Sequence, residues 1–141
     1  MPAPEPPASS LLIPASPAGG KARYLGRQVL LELYGCPPER LTERAGIEAA
    51  MLAAARACAA TVVESVFHAF NPHGVSGVVI IAESHLTIHT WPEHGYAAVD
   101  VFTCGHTIDP AEAVDSLATA LAAAHVSVTE VNRGALRHLR A

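Results

Sequence analysis

Ser84 stands directly after Glu83 in the run ESHLTIHTWPEHGYAAVDVFTCG (83–105), which also holds His89 and Cys104. A hydroxyl on the C-terminal side of an amide can attack the carbonyl before it, exchanging the amide for an ester through a tetrahedral oxyanion. Loss of the α-proton of the serine then expels the carboxylate by β-elimination, and the chain is divided into 1–83 and 84–141. An imidazole suits the proton transfers near neutrality, its ordinary pKa being ~6.5. A thiol of ordinary pKa ~8.5 is mostly protonated there and can give a proton. A lone serine at a strand end more often makes a turn hydrogen bond, and a lone cysteine more often packs as a small buried residue. The ordered segment around them is what favours chemistry.

Six of the eight histidines lie between positions 68 and 106, so a metal centre is the rival reading. The surroundings of His85 and His89 are β-branched and aromatic, which favours a strand. On a strand, four residues span ~13 Å, too far to share one ion. We assign no metal site.

The elements that must position these residues can be read from periodicity. Val29, Leu31 and Leu33 alternate within a strand over 27–34, and Pro37-Pro38 ends it and opens a helix to about Ala59. Ile47, Met51, Ala54, Ala55 and Cys58 fall at helical spacing along it. Strands follow at 61–70 and 75–82, joined by Asn71-Pro72-His73-Gly74, with Glu83-Ser84 at the end of the second. Further strands at 86–91 and 96–104 flank the turn Pro92-Glu93-His94-Gly95. Asp109 caps a helix that begins at Pro110 and buries Val114, Leu117, Ala118 and Leu121; a last strand covers 126–131. The order β-α-β-β-β-β-α-β predicts an α/β fold of α+β type, a two-layer sandwich whose mostly antiparallel sheet carries both helices on one face. The other face would be bare in a monomer, so a homodimer that buries it is expected.

The 141 residues fit one domain, 23–141, behind a Pro-rich segment. Residues 1–22 hold six of the eleven prolines and lack the basic start and apolar run of a signal peptide, so they read as a disordered tail; Leu11-Leu12-Ile13 is its only apolar stretch. Nine basic against thirteen acidic residues, a net charge of −4, disfavour a nucleic-acid partner. No apolar run approaches the ~18 residues that span a bilayer, and a soluble, non-membrane protein is expected. Three widely spaced cysteines, Cys36, Cys58 and Cys104, suit neither a disulfide framework nor a zinc ribbon and fit a reducing cytoplasm.

From about Tyr24 to Gly134, and most densely at FNPHGVSGVVII (70–81) and 83–105, the sequence resembles the S-adenosylmethionine decarboxylases of the bacterial and archaeal type. Ala82 replaces a serine frequent two residues before the reactive one, and His94 a frequent tyrosine; neither removes a reactive group. The resemblance implies a self-cleaving proenzyme in which Ser84 becomes a pyruvoyl cofactor. Its ketone forms a Schiff base with the α-amine of S-adenosylmethionine and accepts the electrons released as carbon dioxide departs, the work otherwise done by pyridoxal phosphate. It further implies His89 as the processing base, Ser76 as an aid to processing, and Cys104 as the proton donor in decarboxylation. Ser76 could equally be a strand residue bonded to backbone. Phe70, Trp91 and Glu93 match positions near the substrate pocket, where an aromatic face attracts a sulfonium and a carboxylate accepts from ribose hydroxyls, although both aromatics could equally be core. Asp100 shares strand parity with Cys104 and either orients a catalytic group or faces a polar neighbour. The expected product is the aminopropyl donor of spermidine synthesis. Arginine or ornithine is the alternative substrate, and an uncleaved ligand-binding or regulatory paralogue the non-enzymatic alternative.

Overall fold

A computed structural model describes residues 23–105 and 107–140; the segment 1–22, expected to be a disordered tail, lies outside them. The order of elements is the expected one: β1 Tyr24–Tyr34, α1 Arg44–Ala57, β2 Val62–Ala69, β3 Val75–Ile81, β4 Ser84–Trp91, β5 Tyr96–Cys104, α2 Pro110–Ala120 and β6 His125–Ala135. The six strands form one sheet in the order β2-β3-β4-β5-β1-β6, with every neighbouring pair antiparallel. The helices pack on each other and on one sheet face, α1 against β2, β3 and β4 and α2 against β1. The fold is thus the two-layer α+β sandwich.

Period-two alternation builds the core. Val29, Leu31 and Leu33 of β1, Val79 and Ile81 of β3, Leu86 and Ile88 of β4 and Val99 and Val101 of β5 are buried under Ile47, Met51 and Ala54 of α1 and Leu117 of α2. Burying a Leu or Ile side chain is worth ~1.5–3 kcal/mol, so this layer holds the sheet in register. Small residues let the helix approach, and Cys58 belongs to this core, its Sγ donating to the Ala55 carbonyl. Gly77 serves a similar need within the sheet. Phe67 lies over it, and a Cβ there would meet the ring at 2.0 Å.

Three boundaries differ from expectation. Pro37-Pro38 does not begin α1 but a separate 3-10 turn, Pro38–Arg40, closed by the Thr42 hydroxyl on the Pro38 carbonyl; the helix starts at Arg44, after the buried Leu41. Strand β1 begins at Tyr24 and β6 runs to Ala135, because Tyr24 pairs with Ala135 and Gly26 with Arg133. Strand β4 begins at Ser84 itself, paired with Ile81 and Thr103, so this serine is a strand residue at a hairpin corner. Asp109 caps α2 as expected, its carboxylate accepting from the Ala111 N–H; Val114 and Ala118 of that helix are only partly buried.

Candidate active site

The β3–β4 hairpin turns on two residues, Ala82 and Glu83. Such loops favour turns with positive φ, which match the twist of the strands. Neither Ala82 nor Glu83 has positive φ; Ser84 takes it instead, at 145°. A side-chain-bearing residue there costs ~1–3 kcal/mol, so strain is concentrated on the residue whose peptide bond would be cut. The turn is tied down on its outer side. Ala82 N–H donates to the Thr61 carbonyl at 2.8 Å, and the Glu83 carboxylate accepts from Thr61 N–H at 3.3 and 3.4 Å.

On its inner side, the Glu83 carbonyl accepts two donors from one residue of β5, the Cys104 N–H at 2.9 Å and the Cys104 Sγ–H at 3.1 Å. Both draw charge from the carbon that a nucleophile would attack, and both face the oxygen that would become an oxyanion. Ser84 Oγ lies 3.2 Å from His85 Nδ1, and the His85 ring rests at 5.7 Å from that of Phe102. The partner of Ser84 here is the adjacent histidine and not His89.

His89 serves the far end of β4. It is paired in register with Ser76 of β3, and its Nδ1 is 2.7 Å from Ser76 Oγ. A strand rises ~3.3 Å per residue, so the Cα atoms of Ser84 and His89 lie about 16 Å apart. Ser76 is bonded through its side chain to this imidazole, which decides against the reading of a strand serine bonded to backbone. His89 and Ser76 line an open cavity of about 250 Å³ together with Phe70, His73, Trp91 and Glu93. Phe70 and Trp91 are 51% and 40% exposed, so neither is core. Trp91 stacks on Tyr96 at 5.3 Å between ring centroids, and Phe70 meets His68 edge-on at 4.6 Å. The Glu93 carboxylate is held by His73 Nε2 at 2.7 Å. A concavity of about 380 Å³ on the helical layer, beside Arg40 and Ala120, has no comparable set of reactive groups.

Between the two ends the uncovered sheet face is partly polar. Asp100 accepts from Thr87 Oγ1 at 3.2 Å and Gln28 Nε2 at 3.4 Å, and Arg133 Nη1 donates to Gln28 Oε1 at 2.7 Å. Asp100 therefore faces polar neighbours. Near the His89 end, the Tyr96 hydroxyl donates to Glu32; burial first, then this carboxylate, pushes its pKa well above the ordinary range. Burial also raises the Cys36 and Cys58 thiols, whereas Cys104 is exposed.

The residues expected from the sequence fall into two groups that the sequence did not separate. Ser84 and Cys104 meet through the Glu83 carbonyl, while His89 and Ser76 stand with Phe70, Trp91 and Glu93. One residue missed was His85. Adjacent strand residues point to opposite faces, so parity argued against a Ser84–His85 contact. The departure of Ser84 from extended backbone permits it. His73, the other residue missed, is signalled only by its place in the turn before Ser76.

The family described as S-adenosylmethionine decarboxylase matches residues 27–134. The chain is 56% identical over 110 residues to the S-adenosylmethionine decarboxylase proenzyme of Caldicellulosiruptor saccharolyticus, over 78% of this chain and 89% of that one. Identity to the proenzyme of Pseudomonas aeruginosa is 52%, over 78% and 69% of the two chains. The crystal structure of the adenosylmethionine decarboxylase from Aquifex aeolicus superposes with a TM-score of 0.77 at 35% identity, covering 85% of this chain and 99% of that one. The chain belongs to the S-adenosylmethionine decarboxylase family. No helix among the described residues is long and apolar enough to cross a membrane.

Proposed function

We infer that this chain is a proenzyme that cuts itself between Glu83 and Ser84 and then decarboxylates S-adenosylmethionine, yielding the aminopropyl donor of spermidine synthesis in the cytoplasm. The observation that carries this reading is the Glu83 carbonyl, polarised by the N–H and Sγ–H of Cys104 and followed by a strained serine whose hydroxyl is beside a base. Attack by Ser84 Oγ on that carbonyl relieves the constraint at the peptide nitrogen. Elimination leaves fragments 1–83 and 84–141, the second beginning with a dehydroalanine that rearranges to an imine and takes up water to give a pyruvoyl group and ammonia. That group supplies a ketone which condenses with the substrate amine and withdraws the electrons of the breaking carbon–carboxylate bond.

The remaining roles belong to residues of the chain. Cys104, exposed beside the new N-terminus, is placed to return a proton to the substrate carbon. Phe70 and Trp91 offer aromatic faces to the sulfonium and the adenine, and Glu93 accepts from the ribose. His89, steadied by Ser76, is the base for the Ser84 α-proton.

One chain alone does not bring His89 to Ser84, and a second copy would. The uncovered sheet face carries Val66 and Ile80, 56% and 39% exposed, besides its polar residues, and suits a homodimer. A twofold axis lying in the interface and crossing β4 at a right angle would run the two β4 strands in opposite directions. It sets Ser84 of one protomer toward the His89 end of the other.

The test is to incubate purified protein separately with S-adenosylmethionine, arginine and ornithine, following carbon dioxide and identifying the amine product. Release with S-adenosylmethionine is expected. Preference for arginine or ornithine would overturn the substrate, and an inert, uncleaved chain would overturn the enzyme.

A further inference from the structure

We propose that His85 is a catalytic residue of self-cleavage, the base that takes the proton from Ser84 Oγ in the first step, leaving His89 to act in the second. The inference rests on the self-cleavage reading above and assigns within it a step that His89 does not reach in a single protomer.

The first step needs three things at one bond: a nucleophile, a base on its hydrogen, and donors for the oxyanion. Two are supplied by Ser84 and by Cys104, whose N–H and Sγ–H reach the Glu83 carbonyl at 2.9 and 3.1 Å. The base within hydrogen-bond distance of Ser84 Oγ is His85 Nδ1, at 3.2 Å. With its proton on Nε2, Nδ1 has a lone pair for the hydroxyl. The ring is steadied by Phe102, the β5 residue paired with His85, so the imidazole is positioned by the same strand that presents Cys104.

The chemistry balances without a co-reactant. The Ser84 Oγ–H proton passes to His85 Nδ1 as the Oγ–C bond to Glu83 forms. The tetrahedral centre collapses with cleavage of the C–N bond, and the proton returns from His85 to the departing Ser84 nitrogen. An ester and a free amine result, with His85 restored. His89 is needed only afterwards, when the α-proton is removed and the ester carboxylate is expelled. Its imidazole is already engaged with Ser76 at 2.7 Å, apart from the scissile bond.

The test follows cleavage of freshly synthesised chain with time, comparing wild type with His85→Ala, His85→Asn and His89→Ala, each checked for a cooperative thermal transition. Loss of a positioned base costs ~10²–10⁴-fold, and both His85 variants are expected to slow by that order, since asparagine can hydrogen-bond but cannot accept the proton. Added imidazole should accelerate His85→Ala. Hydroxylamine, which cuts esters, should cleave the stalled His89→Ala chain but not the stalled His85→Ala chain. Wild-type speed in His85→Ala, full speed in His85→Asn, absence of imidazole rescue, or a hydroxylamine-sensitive His85→Ala chain would overturn the assignment and leave self-cleavage standing. A wild-type chain that never cleaves would overturn both.

Discussion

The two ends of β4 are built for different work. At the Ser84 end the backbone is strained, the turn is tied to Thr61, the Glu83 carbonyl accepts both donors of Cys104, and Ser84 Oγ lies 3.2 Å from His85 Nδ1. At the Trp91 end the side chains line an open cavity with exposed aromatic faces and a carboxylate held by His73. The first end is organised around a bond of the protein itself, the second around room for something else. The groups for attack of Ser84 on the Glu83 carbonyl thus stand together at one end, whereas removal of the Ser84 α-proton by His89 and chemistry on a substrate would need both ends. A face-to-face dimer of antiparallel β4 strands would supply that.

The most severe way to break the comparison is to remove the one atom on which both functions depend. Ser84→Ala should remain a single chain by mass and release no carbon dioxide from S-adenosylmethionine. The two fragments 1–83 and 84–141 appearing from this variant would place the cut bond elsewhere.

Cys104 separates the two functions less completely. Cys104→Ala removes the Sγ donor but keeps the N–H at 2.9 Å on the Glu83 carbonyl, so the chain should still cleave, more slowly. Turnover should fall ~10²–10⁴-fold, the usual loss for a missing proton donor; single-turnover kinetics of the cleaved form would show it, and undiminished turnover would remove Cys104 from decarboxylation. Iodoacetamide gives the same result chemically. Burial raises the Cys36 and Cys58 thiols and hides them, so Cys104 should be labelled first and activity lost in step.

At the opposite end, Trp91→Ala should leave cleavage at the wild-type rate and raise KM by about tenfold, the ~1.4 kcal/mol expected of one aromatic face on a cation. Steady-state kinetics on fully cleaved protein would check it. A cleavage defect of equal size would show that the two ends are not independent.

Much of this was legible in the sequence where local pattern and packing agree. The alternation of Leu86, Ile88 and Thr90 inward against His85, Thr87 and His89 outward is what β4 shows. The helical spacing of Ile47, Met51, Ala54 and Ala55 is the buried face of α1. The full length of β6 was not legible, because Asn132, Arg133 and Gly134 have little strand preference and are held by pairing with a segment more than a hundred residues earlier. In the site, candidate residues could be named from the sequence and their distances could not. Strand parity concealed His85, and the sixteen-odd ångströms from Ser84 to His89 follow from the rise per residue of a strand.

The smallest effect should come from Thr90, which anchors the Trp91 end from beneath. Its buried hydroxyl accepts from Val75 N–H at 2.9 Å and donates to the Leu41 carbonyl at 2.8 Å, joining the start of β3, the end of β4 and the turn before α1. Thr90→Val keeps the shape and leaves both backbone groups buried without partners, which should cost ~1–3 kcal/mol in denaturant unfolding of the uncleavable Ser84→Ala chain. In the active background, KM should rise a few-fold, ~1 kcal/mol or less, because Ser76 and Trp91 each adjoin a residue that has lost its tie. Cleavage should not change, since Ser84 lies six residues away along β4 and is held by β5 and Thr61. A Thr90→Val chain that cleaves slowly would mean that strain at Ser84 is set by the whole strand and not by its own turn.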